Sequence, residues 1–196
     1  MQNKLEKGIE TRLSGSGGQG LILSGIIMAK AAVLDGLKVT QTQSYGPESR
    51  GGASRADVII SVNDIYYPEA THLDFLVALT QEACDKYIYE LKEKGILIAD
   101  NSFVKNISVM GPRIFDLPFS DIAMEKLGSR LPTNIVVLGF LVAISKLVSK
   151  KSLESAVKSS VKPAYLDLNM KALSLGFTLA AEALKEIDMP LNGGSK

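Results

Sequence analysis

The chain has 196 residues, 46% of them hydrophobic and 22% charged, and these ordinary globular values exclude disorder as the default. Its 22 basic and 21 acidic residues give a net charge of +1, without a basic run interleaved with aromatic residues. Such a balance gives no attraction to nucleic acid or to anionic lipid, so we expect the protein to bind neither.

The sequence contains one cysteine, Cys84, and one histidine, His72. One cysteine excludes a disulfide within the chain, and it excludes an iron–sulfur cluster or a thiolate zinc site built by this chain alone. A single imidazole likewise excludes a histidine metal site. We therefore expect Cys84 to be an inert packed thiol and His72 to lie in a loop.

The sequence has no segment typical of export or membrane insertion. Residues 1–10 are polar and charged, without the apolar stretch of a secretory signal. The longest apolar run, residues 135–144, has about ten residues, whereas a membrane span needs about 20. These features predict a cytoplasmic protein without a membrane span.

The chain begins with a pattern typical of a βαβ unit. A strand over residues 11–14 leads through a glycine cluster into a helix over residues 21–34, which Gly36 ends. Residues 38–43 alternate and are β-branched, so they predict a second strand. The two strands of such a unit should be parallel.

The middle of the chain predicts further strands with one long helix between them. We expect strands over residues 57–62, 74–79, 96–99 and 113–116, a short return strand over 65–67 that Pro68 ends, a helix over 81–94 that Thr80 caps and Gly95 ends, and a short helix to about residue 127.

The last third of the chain predicts helices only. Thr133 should cap a helix to about residue 148, Ser152 a short one to about 160, and a long helix should run over 165–187, after Pro163 and before Pro190. Most apolar residues of these helices should be core, although Phe140, Met170 and Phe177 could also face a partner.

Together these elements predict an α/β, Rossmann-like three-layer sandwich with a mostly parallel sheet and C-terminal helices packed on it. We expect residues 1–196 to form one domain, with a helical part over about 130–190.

The first candidate site is the glycine turn, Gly15-Ser16-Gly17-Gly18-Gln19-Gly20, which matches G-x-G-x-x-G between a predicted strand and a predicted helix. The first glycine permits a tight turn, the second lets a phosphate approach the backbone, and the third allows close helix–strand packing. Free N–H groups at the helix start favour an anion. The alternative is that these glycines serve only the corner between strand and helix.

The motif does not fit a dinucleotide well. A ribose-binding carboxylate should end the second strand, but Thr42, Gln43 and Ser44 stand there. The turn is also not a Walker A loop, because no Gly-Lys-Ser/Thr ends it.

The second candidate site is the second loop, Ser44-Tyr45-Gly46-Pro47-Glu48-Ser49-Arg50-Gly51-Gly52-Ala53. It follows the second strand, so we expect it at the same carboxyl edge of the sheet as the glycine turn. Arg50 could bind a phosphate or carboxylate with its bidentate fork, or it could pair with Glu48 inside the loop. Gly15 to Gly20 and Tyr45 to Gly52 should therefore lie side by side and form one shared candidate site, for a ligand or for a neighbouring subunit.

The glycine turn and the motif Ser-Tyr-Gly-Pro-Glu-Ser-Arg-Gly-Gly-Ala-Ser-Arg at residues 44–55 closely resemble the gamma subunits of 2-oxoacid:ferredoxin oxidoreductases. The resemblance extends over nearly the whole chain. The run Arg50-Gly51-Gly52-Ala53 is most similar to the 2-oxoglutarate branch, because the pyruvate branch tends to have Arg-Gly-Ala-Pro there.

This resemblance implies a part in the coenzyme A (CoA)-dependent oxidative decarboxylation of a 2-oxoacid, with electrons passed to ferredoxin. It implies that thiamine pyrophosphate and the iron–sulfur clusters belong to partner subunits of the alpha, beta and delta types. The gamma-type chain would help to form the CoA site and the subunit contacts. It implies no catalytic residue in this chain.

Two other functions are open to the sequence. One is a stand-alone NAD(P)-binding protein, which the missing acid near Gln43 disfavours. The other is a scaffold whose glycine loops bind no ligand.

Overall fold

The computed structural model describes residues 5–44 and 53–188, which form six strands and six α-helices. The strands are β1 (Ile9–Ser16), β2 (Lys38–Ser44), β3 (Ala53–Ser61), β4 (Leu73–Ala78), β5 (Leu91–Asp100) and β6 (Arg113–Leu117). The helices are α1 (Leu21–Leu34), α2 (Gln81–Tyr87), α3 (Phe119–Leu127), α4 (Thr133–Ser145), α5 (Lys150–Ser160) and α6 (Leu166–Asp188).

The strands form one sheet in the order β2-β3-β1-β4-β5-β6. The pairs β1–β4, β4–β5 and β5–β6 are parallel, while β3 is antiparallel to both β1 and β2. β1 and β2 therefore run in the same direction, as predicted, but they are not neighbours because β3 lies between them. The sheet is mostly parallel, and its carboxyl edge is where β1, β4, β5 and β6 end.

Each face of the sheet has its own hydrophobic core. Side chains alternate along a strand, so Phe75 and Val77 of β4 enter one core while Leu76 and Ala78 enter the other. Among the described residues, the larger core contains 33 buried residues and receives side chains from α1, α3, α4, α5 and α6. The smaller core contains 14, and α2 is the α-helix that covers it. These layers confirm the predicted α/β sandwich.

The C-terminal helices pack around aromatic and glycine contacts. Phe140 of α4 is fully buried, and its ring meets those of Phe115 and Phe119 edge-on, with centroids 5.3 and 5.1 Å apart. Gly139 of α4 faces Gly176 of α6, so the two helix backbones approach closely. Phe140 is therefore a core residue.

Two predicted elements are wrong. The helix predicted over residues 81–94 ends at Tyr87, and a 3-10 turn, Ile88–Glu90, leads into β5. The predicted return strand at 65–67 is a loop in which Tyr66 is 93% exposed. With neither a partner strand nor a buried face, three residues gain too little to order as a strand.

The caps of the helices differ in detail from the prediction. Thr80 caps α2 as predicted, since its hydroxyl accepts from the Ala83 amide at 3.3 Å. α4 begins at Thr133 without a side-chain cap and ends early, because Lys146 adopts a left-handed φ of 53°. Ser149 caps α5 in place of Ser152, and its hydroxyl accepts from the Ser152 amide at 3.1 Å.

None of the helices in residues 5–44 and 53–188 combines the length and apolar character needed to cross a bilayer.

Candidate functional site

The glycine turn joins the carboxyl end of β1 to the start of α1. Gly18 and Gly20 have φ angles of +86° and +73°, in the left-handed region that glycine adopts without strain. Ser16 donates its amide to Gln19 Oε1 at 2.7 Å, and Gln19 donates its amide to the Ser16 carbonyl at 3.3 Å. These two bonds fix the turn in a closed shape.

The structure corrects the role predicted for Gly20. Gly20 packs against Asn134 of α4 rather than against a strand: a Cβ there would lie 2.5 Å from Asn134 Nδ2. That amide donates to the Gly20 carbonyl at 3.0 Å and to Ser24 Oγ at 3.1 Å. Close helix–strand packing is achieved instead at Gly25, where an added Cβ would lie 3.0 Å from Ala56 Cβ of β3.

The start of α1 has the features of an anion-binding backbone. Its N-cap is Gly20, which offers no side-chain acceptor to the first turn of the helix. Gly18 leaves open space where a Cβ would stand. The helix dipole and these amides favour a negatively charged ligand group.

Gly20→Ala is expected to destabilise the chain more than Gly18→Ala. Alanine at Gly18 meets no atom within 4 Å, so its cost is the left-handed backbone alone, about 1–2 kcal/mol. Alanine at Gly20 carries the same strain and also displaces Asn134, which adds about 1–3 kcal/mol. Denaturant unfolding of the two variants measures the difference, and equal losses would contradict the packing described for Gly20.

A cavity of about 250 Å³ opens beside the glycine turn, at the carboxyl edge of the sheet. Its inner wall is formed by the turn, the residue that follows β4 and the starts of α3 and α4, and its rim by two loops. The lining residues are Gly18, Gln19, Leu79, Phe103, Ser120, Arg130, Leu131 and Thr133. Crevices at this edge of a parallel sheet are where α/β proteins commonly bind ligands.

The rim of the cavity carries a guanidinium that is paired with a carboxylate. Arg130 donates from Nη2 to Asp121 Oδ1 at 2.6 Å, and its guanidinium lies 6.0 Å from the centroid of the Phe103 ring. Ser120 lines the wall, and its backbone amide donates to the buried carboxylate of Asp100 at 3.2 Å. Its hydroxyl is also bonded to Asp100, so Ser120 is held in place rather than free to react.

The second loop joins the sheet beside the glycine turn. Ser16 pairs with Ala53 in the β1–β3 ladder, and Ser44 pairs with Arg55 in the β2–β3 ladder. The two ends of the loop therefore meet the sheet at the edge predicted for them. Tyr45 to Gly52 lie outside the described residues, so their contact with a ligand, and the Glu48–Arg50 pair, stay predictions.

Helix α2 holds the C-terminal end of the second loop. Glu82 Oε1 accepts from the Ala53 amide at 3.2 Å, and the Tyr87 hydroxyl donates to the Ala53 carbonyl at 3.5 Å. Arg55 extends over the Tyr87 ring, 5.7 Å from its centroid. The second loop thus ends at Ala53, which is held in place against the smaller core.

Beneath that end of the loop lies an ionic network that the sequence analysis missed. Arg12 of β1 is fully buried and donates from Nε and Nη2 to both carboxylate oxygens of Asp57, at 2.7 and 2.9 Å. Its Nη1 donates to Glu90 at 2.6 Å. Burial alone would lower the pKa of Arg12, but the hydrogen bonds and charge of Asp57, then those of Glu90, raise it above its ordinary value. The sequence marks this network only weakly, because β1 also contains Glu10 and several polar residues.

Cys84 and His72 have the placements predicted for them. Cys84 is buried in the smaller core, and His72 is exposed in the loop before β4, where Nδ1 lies 3.0 Å from the Thr71 hydroxyl. Within residues 5–44 and 53–188, no three His, Cys, Asp or Glu side chains are grouped to hold a metal.

We expect Cys84 to resist thiol reagents at pH 8 in the folded chain. Burial, then the charges of Asp85 and Asp116, raises the pKa of the thiol from 9.0 to about 11. The neutral thiol therefore contributes to stability below about pH 9, and this contribution is lost as the pH rises toward 11. Ellman's reagent measures the labelling, and Cys84→Ala should show a flatter loss of stability over that range. Fast labelling of folded protein at pH 8 would contradict it.

Comparison with known proteins identifies the family of the chain. The family model for pyruvate ferredoxin/flavodoxin oxidoreductase matches residues 10–179. The chain belongs to this family. The match includes the glycine turn, the second loop and the residues that line the cavity.

Relatives of known name place the chain within the oxidoreductase family. The 2-oxoglutarate synthase subunit KorC of Methanocaldococcus jannaschii is 42% identical over 176 residues, which cover 88% of this chain and 94% of that protein. The ketoisovalerate oxidoreductase subunit VorA of Methanothermobacter thermautotrophicus is 30% identical, and the match covers 90% of this chain but 37% of VorA. The match thus covers nearly the whole length of KorC and a part of VorA.

Solved structures of the oxidoreductase family share the fold. The gamma subunit of a keto/oxoacid ferredoxin oxidoreductase from Geobacter sulfurreducens superposes with a TM-score of 0.80 at 45% identity, covering 89% of this chain and 99% of that one. The 2-oxoglutarate:ferredoxin oxidoreductase of Magnetococcus marinus, solved with 2-oxoglutarate, coenzyme A and succinyl-CoA, superposes at 0.81 with 24% identity, covering 89% and 31%. The second likeness is one of fold alone.

Proposed function

We propose that this chain is the gamma-type subunit of a 2-oxoglutarate:ferredoxin oxidoreductase, a complex that carries out CoA-dependent oxidative decarboxylation of its 2-oxoacid. One observation carries the proposal: the chain matches KorC over 94% of that subunit, at 42% identity. Because the alignment spans nearly all of KorC and most of this chain, it supports the role of a KorC-type subunit for this chain. We infer accordingly that residues 1–196 act as one gamma-type unit, with its helices in the C-terminal part.

The described residues support a non-catalytic part in this reaction. The single thiol is buried with a raised pKa, and the hydroxyl of Ser120 is bonded to Asp100. The chemistry then falls to alpha-, beta- and delta-type partners, which would hold thiamine pyrophosphate and the iron–sulfur clusters and pass electrons to ferredoxin. The isolated chain should be inactive.

The contribution of this chain would be a surface for CoA. The start of α1 offers uncapped backbone amides, Gly18 leaves room above the turn, and the cavity beside it carries Arg130. These features fit the phosphates of CoA, and the Magnetococcus marinus enzyme of the same fold has CoA bound. We propose that the glycine turn faces the phosphates and that Tyr45 to Gly52 flank the ligand or a neighbouring subunit.

A stand-alone NAD(P) protein is disfavoured by the strand order. In a dinucleotide fold, the second parallel strand lies beside the first and brings a carboxylate to the ribose. Here β3 occupies that place and runs antiparallel, so Ser54 is the residue paired with Gly15. Gln43 and Ser44, which end β2, are one strand further away.

The proposal is tested by reconstituting the purified complex with and without this chain. We expect CoA-dependent reduction of ferredoxin by 2-oxoglutarate only when the chain is present. The chain alone should show no turnover with any 2-oxoacid. Normal CoA-dependent turnover without it would refute the proposal, and tight NADH binding by the isolated chain would favour the dinucleotide alternative.

A scaffold without a ligand makes a different prediction from the same preparation. If the glycine turn only connects β1 to α1 and binds no ligand, CoA should cause no chemical-shift change at Gly15 to Gly20 in the labelled chain, alone or in the complex. Shifts at the turn with no shift at Gly95, in β5, would support the proposed CoA surface.

A further inference from the structure

Helix α1 exposes part of its surface although its sequence is that of a buried helix. Lys30 is the one charged residue among its 14 residues, and the others are apolar or small. A helix that is hydrophobic on all sides is normally enclosed on all sides. Ile26, Val33 and Leu34 are nevertheless 37%, 61% and 56% exposed. Their i, i+7 and i+8 spacing places them in one apolar stripe, which the described residues leave uncovered.

The apolar stripe borders the free edge of the sheet. β2 is the outermost strand, and among residues 5–44 and 53–188 no strand pairs with its outer side. A groove of about 410 Å³ lies between the two elements, and Val39 and Gln41 of β2 line it opposite the stripe. An unpaired strand edge is where an extended segment adds as a further strand. Alternate side chains of such a strand would point toward α1 and fill the groove.

One end of the groove is surrounded by lysines. Lys30 donates to the Ser160 hydroxyl at 2.9 Å, and Ser159 lines the groove beside it. Lys158 and Lys162 are exposed and lie close to these serines in the sequence. Within the part of the chain that the structure describes, none of these three lysines forms an ion pair with a carboxylate. Acidic side chains on an occupant would therefore be attracted to this end, and basic ones repelled.

These charges disfavour a second copy of the chain as the occupant. A two-fold axis would place the same groove against itself, so that lysines would face lysines. The described residues that line the groove include no carboxylate to offset this repulsion. Asp35, which follows the stripe, already accepts from the Ser149 and Ser152 hydroxyls at the start of α5. The complementary occupant is therefore a different chain with acidic residues.

We propose that the groove between α1 and β2 binds an extended apolar segment of a partner subunit, which pairs with β2 and directs acidic side chains to the lysines. This inference rests on the proposed function, because it takes the partner from the same complex. The surface is separate from the glycine turn and from the second loop. It attaches the chain to the complex through residues that the proposed CoA surface does not use.

Hydrogen exchange of the backbone amides tests the added strand directly. The alternate amides of β2 that point away from β3 should exchange at least tenfold more slowly in the complex than in the isolated chain, because they become paired. The amides of β5 are the reference, since this strand is paired on both sides and should change little. Unchanged exchange in β2 on assembly would overturn the proposal.

A variant of the apolar stripe tests the side chains of the groove. Val33→Gln with Leu34→Gln should leave the isolated chain folded, because both side chains are more than half exposed. Its affinity for the partner subunits should fall about thirtyfold, the effect of losing one interface hot spot. The matched control is Met124→Gln, since Met124 is 47% exposed on α3. Equal weakening by this control would contradict a specific role for the groove.

Charge reversal tests the acidic character of the occupant. Lys30→Glu should weaken binding to the partner subunits about fivefold at low ionic strength and less at high ionic strength, because exposed charges are screened by salt. Lys30→Arg should bind like the wild type. Lys185→Glu, at an exposed lysine of α6, is the control and should have no effect. Tighter binding by Lys30→Glu would show a basic occupant and refute the charge assignment.

The inference and the proposed function fail in different ways. If the Val33→Gln, Leu34→Gln chain joins the complex as tightly as the wild type, the docking surface is wrong and the subunit role stands. If the isolated wild-type chain is a dimer that this variant makes monomeric, a second copy fills the groove and the inference is also wrong. If the complex turns over CoA normally without the chain, the proposed function itself fails.

Discussion

Asp57→Ala is expected to lower the free energy of unfolding of the chain by about 3–5 kcal/mol, because it leaves the fully buried Arg12 without its bidentate partner. Glu90 remains bonded to Nη1, but its own side chain is 35% exposed and faces one side of the guanidinium. For a buried cation, losing its bidentate carboxylate is far more costly than losing a surface ion pair. Urea unfolding followed by circular dichroism measures the change.

A double replacement separates the charge from the space that it fills. Arg12→Met with Asp57→Leu removes both charges and keeps apolar volume, so the double variant should be more stable than Asp57→Ala. The control is Asp167→Ala, which breaks the exposed Lys171–Asp167 pair and should cost less than about 0.5 kcal/mol. An Asp57→Ala chain as stable as this control would contradict the network as described.

Gly176→Ala is expected to destabilise the chain by about 3 kcal/mol, at the upper end of the cost of overpacking. A Cβ at Gly176 would lie 2.8 Å from the Phe140 amide nitrogen and closer still to the Val136 carbonyl oxygen. These are backbone atoms of α4 and cannot rotate away. The gain of about 1 kcal/mol that alanine brings to a helix is too small to offset them. Thermal unfolding gives the size of the effect.

Ser174→Ala is the matched control for Gly176→Ala, because Ser174 is exposed on the same helix α6. Ser174→Ala should leave the free energy of unfolding unchanged or raise it slightly. Gly139→Ala should repeat the loss seen at Gly176, since its Cβ would lie 2.6 Å from the Leu173 carbonyl oxygen. If Gly176→Ala were tolerated as well as Ser174→Ala, the helices would not be in backbone contact.

Elements with strong local signals were predictable from the sequence. The glycine turn and α1 follow from the glycine spacing and from a run rich in Ala, Ile and Leu that Gly36 ends, and α6 follows from its length and the prolines that flank it. The helix over 81–94 failed for the opposite reason. Leu91 to Lys94 favour a helix locally, but they lie in β5, where Leu91 pairs with Leu73 of β4, and Gly95 packs so closely on Leu91 that an added Cβ would lie 2.6 Å from its Cδ1. Tertiary pairing overrode propensity there.

The candidate site was predictable only where residues close together in the sequence form it. The glycine turn is local, so its motif was visible, whereas the cavity also needs Phe103 and Arg130 from two later connections and Ser120 from α3. The position of β3 between β1 and β2 was equally hidden, because nothing in a strand sequence states which neighbour it will choose. The structure confirms the predicted position of the two ends of the second loop, Ser44 and Ala53. The position of the residues between them stays a prediction.

The Arg12–Asp57 pair has a consequence for how β1 and β3 align. Sliding one strand past the other by a single residue would turn Arg12 toward the larger core, where its charge would meet Phe75 and Val77 instead of carboxylates. The salt bridge thereby selects one alignment of the β1–β3 ladder. That alignment sets Gly15 opposite Ser54 and Ser16 opposite Ala53. A buried ion pair in the middle of β1 thus decides which backbone atoms of β1 and β3 are neighbours at the carboxyl edge of the sheet.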